Sequence, residues 1–248
     1  MLPQPPAGRV ISNLRVEMGL SAEPDMLQSG MESKSGEGPG IGIASPAVPV
    51  LSAHGLKKKY GSRQVLRGVE FSIGAGQIVG ITGENGSGKS TLLQILAGWI
   101  APTHGTVTRR TSLGYCPQDT TVFDTLTVSE NLRYFAQAIR LPEPAFRQRT
   151  AHLLGLLQLN KFEHHPAAEL SGGSRQKLNL IVALLDDPEL LLLDEPCSGL
   201  DWSTYLHFWE FANATRAAGK SIVIVSHLIH EQSYFDALYT MREGVLSS

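Results

Sequence analysis

The sequence has no apolar run long enough to cross a bilayer and no strong excess of charge of either sign. Its most apolar segments, residues 180–185 and 190–193, are far shorter than the roughly 20 residues that a membrane-spanning helix needs. The formal net charge of -2 offers no broad basic surface for a nucleic acid. Cysteine is scarce, and the spacing of Cys116 and Cys197 matches no metal or redox motif, which is typical of a reducing cytosol. We therefore expect no nucleic-acid partner, and contact with a membrane only through another protein.

The first 50 residues lack aromatic side chains altogether. Pro, Gly, Ser and Met recur in this segment without the period of a helix or a strand. Such a composition cannot bury enough surface to offset the entropy that is lost on ordering the chain. The sequence therefore predicts a disordered extension at residues 1–50 and a folded domain at residues 51–248.

Beyond residue 50, apolar residues alternate in short segments and repeat at helical spacing in longer ones. The pattern predicts strands at residues 56–60, 65–73, 77–82, 105–109, 113–117, 189–193 and 221–225. It predicts helices at residues 90–99, 129–140, 145–159, 172–185 and 202–218, followed by a short helix and a turn at Glu243 and Gly244. Strands that alternate with helices indicate an α/β fold with a mostly parallel sheet. The helical block at residues 129–159 predicts a lobe beside that sheet.

A glycine-rich segment joins the third predicted strand to the first predicted helix. Residues 83–90 read Gly-Glu-Asn-Gly-Ser-Gly-Lys-Ser, which fits the phosphate-binding pattern G-x-x-x-x-G-K-S in the strand-loop-helix context that the pattern requires. Backbone N–H groups at a helix N-terminus converge on phosphate oxygens, while Lys89 reaches the β- and γ-phosphates and the Ser90 hydroxyl binds Mg²⁺. We assign the whole segment and the next residue to nucleotide binding: Gly83, Glu84, Asn85, Gly86, Ser87, Gly88, Lys89, Ser90 and Thr91.

Two carboxylates follow the apolar strand that ends near residue 193. Ligands of open α/β sheets bind outside the carboxyl ends of the strands, so Asp194 is delivered to the edge where the phosphate loop lies. We predict that Asp194 holds Mg²⁺ and that Glu195 is the general base for the attacking water. A strand that simply ends in two acids is the alternative for this segment taken alone.

Residues 170–176, Leu-Ser-Gly-Gly-Ser-Arg-Gln, open another predicted helix. Its N-terminus is a second anion site by the same physics as the phosphate loop. A single nucleotide rarely needs two separate phosphate-binding sites on the same chain. This suggests that Ser171, Gly172 and Gly173 bind a nucleotide that is held by another subunit. The alternative is an ordinary helix cap made by Ser171.

The order of these motifs resembles the nucleotide-binding domain of ABC ATPases over residues 51–248. The resemblance implies a P-loop NTPase core with a mostly parallel sheet, an antiparallel β subdomain and a helical lobe. It implies that Tyr60 stacks on adenine, that Gln118 contacts Mg²⁺ and water, that residues 198–201 form the D-loop, and that His227 lies near the γ-phosphate. The expected cofactors are ATP and Mg²⁺, with Lys89, Glu195 and His227 as the catalytic set and Ser90, Gln118 and Asp194 as the metal set.

The resemblance also implies partners. Two such domains form a head-to-tail dimer around two ATP molecules, and each site is completed by Ser171, Gly172 and Gly173 of the other subunit. Residues 126–132 and 140–142 resemble the exporter branch, which implies a transmembrane permease as partner and a cytoplasmic position at the inner face of the cell membrane. The transported substrate, the direction of transport and the choice between homodimer and heterodimer stay open.

Three alternatives to a transport subunit deserve comparison. A soluble ABC ATPase of DNA repair would carry coiled-coil heptads between the phosphate loop at residues 83–90 and the carboxylates at residues 194 and 195, and this chain has no such heptads. A soluble ABC ATPase that acts on ribosomes would carry two such domains in one chain, and this chain has one. A P-loop kinase or GTPase would not explain residues 170–176.

Because Cys116 and Cys197 each lie two residues from a predicted site residue, we also hypothesise that both thiols lie near the nucleotide and that a bulky thiol reagent inhibits hydrolysis.

Overall fold

The computed structural model describes residues 48–227 and 231–248. The predicted extension, residues 1–50, therefore lies outside the described residues except for its last three positions. Val50 already belongs to the ordered structure, because its backbone N–H donates to the carbonyl of Ile73 at 2.9 Å and its carbonyl accepts from Arg110 N–H at 2.9 Å.

The first sheet is antiparallel and contains β1 (Leu51–Tyr60), β2 (Arg63–Ile73) and β4 (His104–Arg109) in the order β2-β1-β4. Buried Leu51, Ala53 and Leu56 turn one face of β1 toward the core. A tight turn at Gly61, whose φ of 58° favours glycine, joins β1 to β2 and leaves Tyr60 at the tip. The antiparallel β subdomain is therefore confirmed.

The second sheet carries the site. Its strands are β3 (Ile78–Thr82), β5 (Leu113–Cys116), β6 (Leu190–Asp194), β7 (Ser221–Val225), β8 (Ala237–Arg242) and β9 (Val245–Ser247). In the described part of the chain they lie in the order β5-β6-β7-β3-β8-β9, and every neighbouring pair is parallel except β8 and β9. The predicted mostly parallel sheet is confirmed.

Helices cover both faces of this sheet, and β6 shows how the sequence divides them. Leu190 and Leu192 pack on the side of α1 (Lys89–Ala97) and the antiparallel sheet. Leu191 and Leu193 pack on the opposite side, against α4 (Gly172–Leu184) and α5 (Trp202–Ala217). All four leucines are buried, so the uniform apolar run is typical of a strand covered on both faces.

The predicted helical lobe consists of α2 (Val128–Ala138) and α3 (Glu143–Leu156). A capping box begins α2, because Thr127 Oγ1 accepts from Glu130 N–H at 3.2 Å and Glu130 Oε2 accepts from Thr127 N–H at 2.8 Å. Both helices end earlier than predicted. Arg140 and Gln158 adopt left-handed φ values of 57° and 56°, and such a conformation ends a helix.

The C-terminal region differs most from the sequence prediction. Strands β8 and β9 were not predicted, and the described residues at the expected short helix form only a 3₁₀ turn, Gln232–Tyr234. Strand β8 is defined by pairing with β3, which aligns Val79 with Ala237 and Thr82 with Thr240. Because β3 is far from β8 in the sequence, this pairing is not evident from the pattern of apolar residues within β8. The predicted turn is present, with Glu243 and Gly244 at φ values of 46° and 82° between the two strands.

None of the helices in residues 48–227 and 231–248 combines the length and the apolar character that a membrane span requires.

Both cysteines lie close to predicted site residues, Cys116 to Asp194 and Cys197 to Glu195, but their burial differs. Cys116 ends β5 and is fully buried, and Asn179 Nδ2 donates to its sulfur at 3.3 Å. Burial, together with the charge of Asp194, raises the pKa of the Cys116 thiol to about 12. Cys197 is half-buried, and burial and Glu195 likewise raise its pKa to about 12. The expectation of a reagent-accessible thiol is therefore wrong for Cys116, because labelling needs both access and a thiolate.

We predict that Ellman's reagent at pH 7.5 leaves Cys116 unmodified in the native protein and modifies Cys197 slowly. A thiol whose pKa is raised exists almost entirely in the protonated form below that value, so labelling accelerates as the pH rises toward 12. In denaturing urea both thiols should react at once. A Cys197→Ala variant isolates Cys116, and fast native labelling of that variant would contradict the buried position.

Candidate nucleotide site

The phosphate loop is shaped by glycines that no other residue could replace. It runs from the end of β3 to the start of α1, and Gly83 and Gly88 adopt φ values of 147° and 111°. A methyl group on Gly83 would overlap the carbonyl oxygen of Met241 in β8. The loop is therefore held between α1 and β8, with its backbone close to both.

Lys89 begins α1 and is buried, with 7% of its surface exposed. Its ammonium group donates to the carbonyl oxygens of Gly83 at 2.6 Å and Glu84 at 2.9 Å. An ammonium group has three donors, so these two bonds orient it above the loop while one donor stays available for an anion. The charge is thus held at the N-terminus of α1, where the helix dipole adds to it.

Asp194 ends β6 with only 1% of its surface exposed, and its Oδ1 has no hydrogen-bond partner among the described residues. Burial raises the pKa of Asp194, the neighbouring Glu195 raises it further, and a hydrogen bond from Ser90 and the charge of Lys89 oppose the change. A buried carboxylate oxygen without a partner is costly, and a divalent cation would satisfy it. Ser90, Asp194 and Gln118 supply only oxygen ligands, which are those that Mg²⁺ prefers, so these residues fit the ion.

Glu195 follows directly and is held by the end of β7 and the two residues after it. Its backbone N–H donates to Val225 at 2.9 Å, and its Oε1 accepts from the backbone N–H of His227 at 2.8 Å. Nδ1 of His227 lies 3.0 Å from the same oxygen, and the Ser226 hydroxyl donates to Oε2 at 3.3 Å. The φ of Glu195 is 52°, a strained value for a residue with a side chain, of the kind that collects at functional sites. These contacts fix the direction in which the carboxylate points.

A cavity of about 590 Å³ brings these groups together, a volume typical of a small-molecule site. Half-exposed Tyr60, Asp194 at the end of β6 and the next residue, Glu195, all line it. The cavity is lined by Tyr60, Arg63, Val65, Asn85, Gly86, Gly88, Lys89, Ser90, Thr91, Gln118, Asp194, Glu195 and His227. Of the other predicted loop residues, Gly83, Glu84 and Ser87 line a neighbouring cavity of about 1020 Å³, which His227 also borders.

The second predicted anion site, residues 170–176, here called the signature segment, lies elsewhere. Ser171, Gly172 and Gly173 do not line this cavity, and Ser171 and Gly172 are exposed at the start of α4. Ser171 does cap the helix, since its Oγ accepts from Ser174 N–H at 3.2 Å. Nothing lies within 4 Å of a methyl group placed on Gly172, which leaves open space in front of the helix N-terminus. The cap is therefore present, and the anion site stays a prediction that the open space at Gly172 allows.

The predicted D-loop packs against this signature segment. A methyl group on Gly173 would overlap the carbonyl oxygen of Gly199, so the two backbones are in direct contact. Asp201 caps α5 by accepting from Thr204 N–H at 3.0 Å, and Lys177 of α4 lies 3.3 Å from its carboxylate. The bonds from Thr204, followed by Lys177, hold the pKa of Asp201 well below its usual range. The D-loop and the signature helix thus form one connected surface.

Two cavity residues, Arg63 and Val65, were missed by the sequence interpretation. They are separated by one residue in β2, so the period of a strand places their side chains on the same face. The sequence shows the alternation of residues along β2. It does not show which face of β2 contacts the phosphate loop.

Known proteins share this combination of features. Residues 66–198, more than half of the chain, match the family model described as ABC transporter. The chain is 36% identical over 206 residues to the Nod factor export ATP-binding protein I of Ralstonia nicotianae, covering 78% of this chain and 63% of that protein. It is 31% identical over 214 residues to the probable multidrug ABC transporter ATP-binding protein YbhF of Escherichia coli, covering 82% of this chain and 37% of the relative. The chain spans less than two thirds of either relative.

Solved structures agree with these relatives. The structure of an ATP-binding subunit of an ABC transporter gives a TM-score of 0.75 at 28% identity, covering 80% of this chain and 88% of that one. A dimeric post-hydrolysis state of the ATP-binding cassette MJ0796, bound to ADP and Pi, gives 0.73 at 26% identity, covering 80% and 97%. The chain therefore belongs to the ABC transporter family, and its fold is that of the family's ATP-hydrolysing nucleotide-binding cassette.

Proposed function

We propose that this chain binds and hydrolyses ATP as the subunit that powers export through a separate transmembrane partner. The observation that carries the proposal is the single cavity in which the phosphate loop, Asp194, Glu195 and His227 meet. The exposed signature at the start of α4 supports a second subunit.

In this proposal the cavity holds ATP with adenine against Tyr60 and the phosphates over the loop. Lys89 and the backbone N–H groups bind the β- and γ-phosphates. Ser90, Asp194 and Gln118 would hold Mg²⁺, which neutralises charge on the phosphates when bound. The buried position of Asp194 favours such an ion, because the charge of the ion compensates for lost solvation.

Glu195 would accept the proton of the attacking water. Its Oε1 is occupied by His227, whereas its Oε2 accepts from the Ser226 hydroxyl at 3.3 Å. A carboxylate whose orientation is fixed in this way places its acceptor without reorganisation during the reaction. His227 contributes by holding Glu195 and by lying between the two cavities that flank the loop.

The second subunit completes each site. Ser171, Gly172 and Gly173 do not line their own cavity, and open space lies beside Gly172, so the N–H groups at this helix N-terminus could bind the phosphates of a nucleotide on another chain. A solved relative is dimeric, with ADP and Pi bound. A head-to-tail dimer with two nucleotides between the subunits satisfies both observations.

Export is favoured by the relatives, which include ATP-binding proteins of Nod factor export, of a probable multidrug ABC transporter and of linearmycin resistance. We place the chain in the cytoplasm, at the inner face of the membrane and bound to a permease. The alternative, a soluble ABC ATPase of DNA repair or of ribosomes, has no comparable support among these relatives.

Replacing Glu195 with Gln should lower the rate of ATP hydrolysis roughly 10²–10⁴-fold, since the amide keeps the shape but cannot accept the proton. ATP should still bind, because Lys89, Ser90 and Asp194 remain. Unconsumed ATP should then hold the dimer together by linkage. Size-exclusion chromatography with light scattering should show a monomer without nucleotide and a dimer with ATP.

Two controls accompany this variant. Glu189→Gln changes an exposed acid just before the same strand, at the opposite end of the sheet, and should hydrolyse ATP normally. Lys89→Ala should bind ATP weakly and stay monomeric. Wild-type turnover by Glu195→Gln would show that the base is misassigned, and tight ATP binding without dimerisation would point to a heterodimer.

The transport proposal predicts a membrane partner encoded near this chain. Co-expression with a neighbouring gene product that has about six membrane-spanning segments should yield a detergent-stable complex. ATP hydrolysis by that complex in lipid vesicles should exceed hydrolysis by the isolated chain, and Glu195→Gln should abolish it. Failure of every neighbouring membrane protein to associate, with normal ATPase activity of the chain alone, would favour the soluble alternative.

A further inference from the structure

Arg63 is a cationic residue in the nucleotide cavity that belongs to none of the sequence motifs. It opens β2, three residues after Tyr60, and its side chain lines the cavity together with the phosphate loop. One terminal nitrogen of its guanidinium would lie 3.9 Å from a methyl group placed on Gly86. The charge is therefore held beside the middle of the loop and not at its Lys89 end.

The neighbours of Arg63 leave its charge available. Elsewhere in the described residues, five arginines each pair with a carboxylate: Arg133, Arg147, Arg149, Arg175 and Arg216. No such pair involves Arg63 in residues 48–227 and 231–248, and the two carboxylates that line the cavity, Asp194 and Glu195, lie at the end of β6 and directly after it. An exposed guanidinium over a phosphate loop, without an acid beside it, is suited to bind an anion in the cavity.

The neighbours of Arg63 in the phosphate loop locate that anion. Arg63 lines the same cavity as Tyr60 and Lys89, and its guanidinium lies beside Gly86, three residues before Lys89. Backbone N–H groups of such a glycine-rich loop cradle the α- and β-phosphates, and the lysine reaches the β- and γ-phosphates. We propose that Arg63 binds the α- and β-phosphate part of the nucleotide, between the adenine and the γ-phosphate. This inference rests on the proposed placement of ATP in the cavity.

The placement has a kinetic consequence. The α- and β-phosphates are present in both ATP and ADP. Hydrolysis breaks the bond to the γ-phosphate and leaves intact the bonds that join the α- and β-phosphates to each other and to the ribose. A contact at this position stabilises substrate, transition state and product alike, so it raises affinity without raising the rate of the chemical step. Arg63 is thus expected to act on nucleotide affinity, in contrast to Glu195, which acts on turnover.

The test compares Arg63→Gln and Arg63→Lys with the control Arg110→Gln, which removes an exposed arginine outside the cavity. Isothermal titration calorimetry with ADP and with the non-hydrolysable analogue AMP-PNP measures affinity, and steady-state hydrolysis gives KM and kcat. Arg63→Gln should bind both nucleotides roughly tenfold more weakly, as expected for loss of a charge-assisted hydrogen bond at an open site. KM for ATP should rise by the same factor, while kcat stays within about twofold.

Arg63→Lys should recover part of the affinity, since it keeps the charge but not the fork of donors. The salt dependence of ADP binding should be weaker in Arg63→Gln than in the wild type and in Arg110→Gln. A purely structural role would instead lower the thermal unfolding midpoint, which should be unchanged because the side chain is exposed.

Three results would overturn the inference. Unchanged affinity for both nucleotides would show that Arg63 does not contact them. Weaker binding of AMP-PNP with normal binding of ADP would move the contact to the γ-phosphate. A lower kcat at unchanged KM would assign Arg63 to the chemical step. A wild-type protein that binds neither nucleotide would contradict the proposed function itself, which is a different outcome from any of these.

Discussion

The parallel alignment of β3, β7 and β6 is the constraint on which the site depends. Parallel strands bring their carboxyl ends to one edge of a sheet, and here each of those ends carries a different piece of chemistry. The phosphate loop follows β3, Asp194 and Glu195 lie at the end of β6 and directly after it, and His227 follows β7. Two backbone bonds lock the ends together: Glu195 N–H to Val225 at 2.9 Å and Ser226 N–H to Ile81 at 3.1 Å. The relative positions of these site residues are thus fixed by backbone hydrogen bonds between neighbouring strands of the sheet.

The same constraint explains why Ser171, Gly172 and Gly173 lie outside the cavity. Helix α4 packs against the sheet face with Leu178 and Ile181 buried, and this packing leaves its N-terminus at the surface, outside the cavity. The contact of Gly173 with Gly199 couples that N-terminus to the D-loop, which leads back to Glu195. The start of α4 is therefore connected to Glu195 by only a few residues of chain.

Several features of the fold and the site were predictable because their causes are local. The phosphate loop needs glycines at set positions, and the strand at residues 190–193 needs unbroken apolar character because both its faces are covered. The helix ends at residues 138 and 156 were misplaced, since apolar spacing continues past residues that adopt left-handed backbone angles. The exposure of Cys116 was also misjudged, because nearness in sequence to Gln118 says nothing about which face of β5 is covered.

The sequence by itself determined the chemistry of this protein: the kinds of residues at Lys89, Ser90, Asp194 and Glu195, and the order of α and β elements around them. That information is local, because each motif acts through its own spacing and its own backbone preference. Only the tertiary structure decided which distant segments meet. It paired β8 with β3, turned Arg63 toward the phosphate loop, and placed Ser171 and Gly172 outside their own cavity. These outcomes depend on sheet order and on packing between segments far apart in the chain, and the free energy of such contacts leaves no period or motif in either segment alone.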